Sequence, residues 1–196
     1  MITGQEIARA LTGSWLLLKN RPEGMLWFDR SLEGFWRSFG VFFLLLPVVG
    51  ITGLMERKMY LEETDLTVDI FPDGLFWTSQ LAASFLDWIL LPVVLAFLAR
   101  SLGIARGYVD FVIVRNWSSL LVVVPYALAG LLYLAGIIPL GIVSLVIVSA
   151  FIAILWYKFN ITRITLQTGT SMTVGIVVLD MVLSIVIEQA VVRMLG

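Results

Sequence analysis

Apolar residues fall into five long runs divided by short polar intervals, the pattern of a chain that crosses a bilayer repeatedly. A hydrocarbon core of roughly 30 Å needs about 20 helical residues at 1.5 Å rise. The runs predict spans at Ser38 to Met55, Leu75 to Leu98, Trp117 to Ala135, Ile137 to Tyr157 and Ser171 to Val192. The third and fourth form one unbroken stretch from Trp117 to Tyr157, too long for a single crossing unless steeply tilted. It divides at Ala135-Gly136-Ile137-Ile138-Pro139, where glycine permits a turn and proline suits the first turn of the next helix. The expected fold class is an all-α polytopic membrane bundle of five transmembrane helices, residues 38–196, preceded by an interfacial segment, residues 1–37.

In that N-terminal segment Ile7, Leu11, Trp15 and Leu18 recur at helical spacing, with Gln5, Glu6, Arg9 and Thr12 turned away from them. The pattern predicts an amphipathic helix lying on the membrane face. Pro22 and Gly24 interrupt it, and a second short helix starts near Arg30, with Asp29 as its N-cap, and runs into the first span. Trp27, Phe28 and Trp36 beside Arg30 and Arg37 read as an interfacial aromatic belt, an anchor or a docking platform. The first residues lack a basic cluster, Glu6 intrudes and Leu16–Leu18 is short, so no signal peptide is expected.

The distribution of Lys and Arg orients the spans. Arg9, Lys19, Arg21, Arg30, Arg37, Arg100, Arg106, Arg115, Lys158 and Arg163 fall on one side, against Arg57, Lys58 and Arg193 on the other. That asymmetry predicts a cytoplasmic N-terminus and a C-terminus on the outer side of the membrane. The first outer loop, Glu56 to Gly74, carries Glu56, Glu62, Glu63, Asp65, Asp69 and Asp73, a solvated acidic loop or a lure for cations.

Composition narrows the chemistry. Of 196 residues 60% are hydrophobic and 14% charged, and the mean hydropathy is +0.98, values that make the bilayer the solvent. Cysteine and histidine are both absent, which removes thiolate chemistry, the commonest metal ligand and the commonest general base. No cofactor or metal is expected, and a net charge of −1 offers no basic surface for nucleic acid. The chain has no P-loop, G-x-G-x-x-G, H-E-x-x-H or G-x-S-x-G motif. Asp87 and Asp180 both lack the Gly-x-Gly-Asp flank of intramembrane aspartyl proteases. A non-enzyme is expected.

Those two aspartates are the candidate site. Each sits in the middle of an apolar run, where an ionised carboxylate costs about 2.5–3.5 kcal/mol on insertion scales and normally faces protein or a wet cavity. With antiparallel threading Asp87, Tyr126 and Asp180 share one depth. Ser84 and Gln80 extend the Asp87 face, and Ser184, Glu188 and Thr173 that of Asp180. Asn116, Ser119, Tyr126, Gly130 and Tyr133 line the third span. No basic residue falls inside the expected spans, so a shared proton or a captured cation would hold the pair. Glu188 would form the outer end of a pathway, and Asn116 with Arg115 the inner end. The plainer reading is protonated hydrogen-bonded glue between helices, each bond contributing about 0.6 kcal/mol.

The stretch Gly107-Tyr108-Val109-Asp110-Phe111, then Arg115-Asn116-Trp117-Ser118-Ser119 leading to Pro125, is similar to the start of the third span in bacterial Yip1-like membrane proteins. Residues Phe28 to Phe39 resemble a segment of bacterial inner-membrane proteins. The resemblance implies the five-span architecture and carries no binding residue. The functional expectation is a non-catalytic accessory, assembly or scaffolding subunit whose partners are the lipid bilayer and other membrane subunits or further copies of itself. Its contacts would be Gly40, Gly50 and Gly53 on span one and Gly141, Ser149 and Ala153 on span four. The alternative is a small transporter, or a proton- or cation-conducting protein, built on the midplane carboxylates.

Overall fold

The computed structural model describes residues 2–64 and 67–195, so Asp65 of the acidic loop lies outside the described residues. Among them all regular structure is helical. Helix α1 covers Gly4–Leu18, and a 3₁₀ helix follows at Pro22–Trp27. Then come α2 (Leu32–Phe39), α3 (Val41–Glu63), α4 (Asp73–Leu98), α5 (Tyr108–Val122), α6 (Val124–Leu134), α7 (Leu140–Leu166) and α8 (Thr170–Leu195). Five helical stretches are long and apolar enough to cross a membrane: Leu32–Glu63, Asp73–Leu98, Tyr108–Leu134, Leu140–Leu166 and Thr170–Val191. The chain is thus a polytopic helix bundle.

Local chemistry sets the boundaries. Pro125 lacks the N–H that would continue α5, so the third stretch breaks at Val123 into α5 and α6. Gly136, at φ 71, makes the hairpin turn with its left-handed backbone, and Pro139 caps α7 in extended geometry. At the other end of the bundle, α7 stops where Gln167 turns left-handed at φ 51. The helices outrun the apolar windows at several ends. α3 continues to Glu63, α5 begins at Tyr108, α7 continues to Leu166 and α8 begins at Thr170. Arg115 and Lys158, expected in loops, are therefore helical residues inside the bundle.

Residues 111–118 place α5 at the centre: Phe111, Val112, Ile113, Val114, Asn116, Trp117 and Ser118 are all buried, on every side of the helix. Around it stand α1, α2, α3, α4 and α7, while α8 pairs with α4 and α7. We call the end with the N-terminal segment and the α4–α5 and α7–α8 connections the basic end, and the end with the α3–α4 connection the acidic end.

The N-terminal helix is built into this bundle. Of the expected apolar stripe, Leu11 and Trp15 are exposed, while Ala10, Gly13, Ser14 and Leu17 form the buried face. Small side chains let it approach closely. Ser14 Oγ lies 3.2 Å from Ser118 Oγ of α5, and the Tyr157 hydroxyl of α7 donates to the Ser14 carbonyl at 2.8 Å. Phe28, expected in an aromatic belt, is instead buried against Gly13, whereas Trp27 and Trp36 are exposed as a belt requires. Ser31, not Asp29, caps α2 by accepting from the Gly34 N–H, and Asp29 accepts from the Ser31 N–H. Arg37 then gathers Glu6, Asp29 and Glu33 at 3.1, 2.5 and 2.5 Å. Gly40 and Gly53 also face inward. A Cβ at Gly53 would meet Trp77 at 2.6 Å, and one at Gly40 would meet Ile2, so both serve packing within the chain.

Candidate functional site

The site forms where α4, α5, α7 and α8 meet. Counting along each helix from the basic end at 1.5 Å per residue, Arg115 lies about 10 Å in, Lys158 about 12 Å, Asp180 about 15 Å and Asp87 about 16 Å. Four ionisable side chains therefore occupy one layer. Tyr126 lies farther along, about 27 Å from Tyr108, so it does not share the depth of the aspartates as expected from threading alone.

Proline explains why Arg115 points where it does. Pro92 of α4 cannot donate to the Trp88 carbonyl one turn earlier, which leaves that acceptor without its helical partner. Arg115 fills the vacancy: Nη1 donates to the Trp88 carbonyl at 2.9 Å and Nη2 to the Asp87 carbonyl at 3.1 Å. The same guanidinium stands 3.8 Å from Asp180 Oδ1. Lys158 Nζ completes the group, donating to Asp180 Oδ2 at 2.6 Å. The Asp180 side chain is 7% exposed and is thus a buried carboxylate shared by two cations.

This corrects the expected electrostatics. Neither a shared proton nor a captured cation is needed to hold Asp180, because α5 and α7 carry Arg115 and Lys158 to it. Asp87 is held differently: its Oδ1 accepts from Ser184 Oγ of α8 at 2.5 Å, and Arg115 reaches its backbone rather than its carboxylate. The formal charge of the four groups is zero. Charge pairs of this kind, deep among spanning helices, are rare and typically belong to substrate paths or proton relays.

Three cavities meet at this layer. An open cleft of about 540 Å³ runs between α3, α4 and α8 from the acidic end, lined by Glu56, Gln80, Ser84, Asp87, Ser184 and Glu188 among others. Gln80 Nε2 donates to Glu56 Oε2 at 3.0 Å on its wall. A central cavity of about 290 Å³ lies between α3, α4, α5, α6 and α7, with Asp87, Trp88, Arg115, Tyr126, Tyr157 and Lys158 on its surface. A third, of about 30 Å³, has room for about one or two waters beside Arg115, Lys158 and Asp180. Ser84 and Asp87 line both larger spaces and so form the partition between them.

The expected site residues distribute as follows. Asp87, Ser84, Ser184 and Glu188 line the cleft together, and Tyr126 joins Asp87 and Ser84 in the central cavity. Arg115, expected as an inner mouth, is the hub of the network. Asn116 turns away from it, fully buried, to donate to Ser38 Oγ of α2 at 3.0 Å. Lys158, Trp88 and Tyr157 are the residues that sequence reasoning missed. The signal for Lys158 was present: no proline or glycine separates Gly141 from Gly169, so nothing in that interval stops the helix at Tyr157.

No protein family, curated protein or solved structure matches this chain.

Proposed function

We propose that this chain is a small membrane transporter, coupled to protons, working through the Asp87–Arg115–Lys158–Asp180 layer. The observation that carries the reading is the position of Asp87 as a shared wall of the acidic-end cleft and the central cavity. A proton reaching Asp87 from the cleft neutralises the carboxylate that Ser184 holds. The four-group layer then changes from neutral to +1, because Arg115 and Lys158 face Asp180 alone. In a low-dielectric interior that unit charge demands compensation by an anion or by rearrangement of the helices. Glu56 and Glu188 line the same cleft from α3 and α8 and supply the acidic approach. The scheme needs no bond-making step; we read the chain as a bacterial inner-membrane protein, with a cytoplasmic N-terminus supported by its basic asymmetry.

The test uses purified protein in liposomes with a trapped pH indicator and an imposed pH gradient. Proton entry above that of empty liposomes is expected for the wild type and at least tenfold less for Asp87→Asn. Equal entry for wild type, Asp87→Asn and empty liposomes, with normal insertion, refutes the reading.

A second reading, an accessory or scaffolding subunit of Yip1-like architecture, is favoured by the outer face of α7. There a Cβ at Gly141 would meet nothing within 4 Å, and Ser149 and Ala153 are exposed on the same helix. A stoichiometric foreign partner in native mass spectrometry after mild-detergent purification supports that reading, and a lone chain or homo-oligomer with pH-dependent flux opposes it.

A further inference from the structure

We infer that the central cavity takes the carboxylate head of a single-chain amphiphile, whose apolar chain leaves sideways between α3 and α6 into the bilayer. The inference rests on the transporter reading above and names its substrate class.

Three observations carry it. First, hydrogen-bond donors that lack acceptors border the cavity. The Trp88 side chain is 7% exposed and its Nε1–H is buried without a partner among the described residues. The Tyr126 hydroxyl likewise has no protein partner among them, and Arg115 uses only part of its five-donor fork on the two α4 carbonyls. A buried donor without an acceptor calls for a ligand or water to explain it. Surplus donors beside two cations select an acceptor-rich anion, and a guanidinium fork pairs in bidentate fashion with a carboxylate or a phosphate.

Second, the cavity is divided in character. Phe42, Leu45, Val48 and Val49 of α3 make one wall apolar, opposite the charged wall of α5 and α7. An amphiphile satisfies both walls and a small inorganic anion only one.

Third, a route to lipid adjoins it. A groove of about 310 Å³ between α3 and α6 is lined entirely by aliphatic side chains, including Leu44, Leu128 and Leu131, all exposed on the bundle surface. Leu45, Val48 and Val123 line both the groove and the cavity, so three aliphatic side chains are the partition between them. Asp87 in the cavity wall makes a doubly charged phosphate head the poorer fit, whereas a single carboxylate brings the layer back to neutrality when Asp87 carries a proton.

The probe is radiolabelled laurate, measured against the full chain in zwitterionic nanodiscs, with dodecanol as the uncharged chain and butyrate as the chainless head. Saturable laurate binding, displaced weakly by either competitor, is expected. Arg115→Gln should weaken it at least tenfold. Trp88→Phe, which keeps the ring and removes the N–H, should weaken it about threefold to tenfold, and decides alone if Arg115→Gln does not fold. Val123→Trp, which fills the partition, should weaken it at least tenfold. Asp87→Asn, a stand-in for the protonated residue, should bind laurate several-fold more tightly, a change no packing role produces. The inference is overturned if dodecanol binds as tightly as laurate, if butyrate displaces it equally well, or if Trp88→Phe binds as the wild type does. Proton flux that needs Asp87 without laurate binding sinks the substrate class and leaves the transporter standing. Laurate binding without such flux sinks the proton coupling alone.

Discussion

Asp180 is the acceptor on which two partly buried cations depend, and its removal should be felt more than the removal of either. Lys158 Nζ at 2.6 Å and Arg115 Nη2 at 3.8 Å interact with it by about 6 and 4 kcal/mol before desolvation, at an effective dielectric of about 20. Desolvation of all three groups offsets most of that gain. What the variants read is the penalty of stranding a charge. Asp180→Asn strands both cations, at 35% and 17% side-chain exposure, and should cost about 3–5 kcal/mol, the range for breaking a buried pair. Lys158→Met leaves Asp180 with Arg115 and should cost about 1–3 kcal/mol, since the lysine head is already a third exposed. The assay is reversible unfolding in mixed micelles of increasing denaturing detergent, followed by tryptophan fluorescence. If Lys158→Met costs as much as Asp180→Asn, or if Asp180→Asn costs under about 1 kcal/mol, Asp180 is not a shared counter-ion and the layer as described is wrong.

Three further outcomes follow from the packing. Gly13→Val places a Cβ 2.6 Å from the Phe28 ring and 2.8 Å from the Gly24 carbonyl, so it should destabilise the docked N-terminal helix by about 1–3 kcal/mol, read as faster proteolysis within residues 1–37. The Arg57–Asp73 pair at the acidic end, at 2.6 Å with Asp73 half exposed, is screened by salt, so Arg57→Ala should shift thermal unfolding less in high salt than in low. Hydrogen bonds from Ser31, with Arg37 adding to them, hold the Asp29 carboxyl below the usual carboxylate range. A lowered carboxyl stabilises the folded form above its unfolded value of about 3.9 and loses that contribution as pH falls through the folded value. Protection of residues 20–37 from hydrogen exchange should therefore persist at neutral pH and weaken only below about pH 4, with Asp29→Asn lacking that acid transition. A transition at pH 6 refutes the assignment.

Much of the architecture was legible along the chain because hydropathy is a property of single residues. Five runs were enough to count the crossings. Gly136 and Pro139 marked the hairpin, since one permits a left-handed turn and the other cannot extend the preceding helix. The candidate residues Asp87, Ser84, Ser184 and Glu188 were found in the same way, by being polar where an apolar residue is the default, and the fold brings them to one cleft. Pro92 is visible in the sequence as a proline inside a span, but its consequence is not: the acceptor it leaves on Trp88 is filled by a residue 27 positions away.

By itself, then, the sequence determined an all-helical chain of five crossings, a basic and an acidic end, and two carboxylates that demand protein partners. Tertiary structure decided who those partners are. An apolar window stops at the first charge, so it excluded Arg115 and Lys158 from the spans, whereas a helix continues past a charge wherever a neighbouring helix supplies the counter-charge. It also chose the buried face of α1, where Ala10, Gly13 and Ser14 outcompete the larger Leu11 and Trp15. Close approach between helices rewards small side chains, and lipid accommodates large ones equally well. Both outcomes depend on contacts between residues far apart in the chain, and no pattern read along one helix contains them.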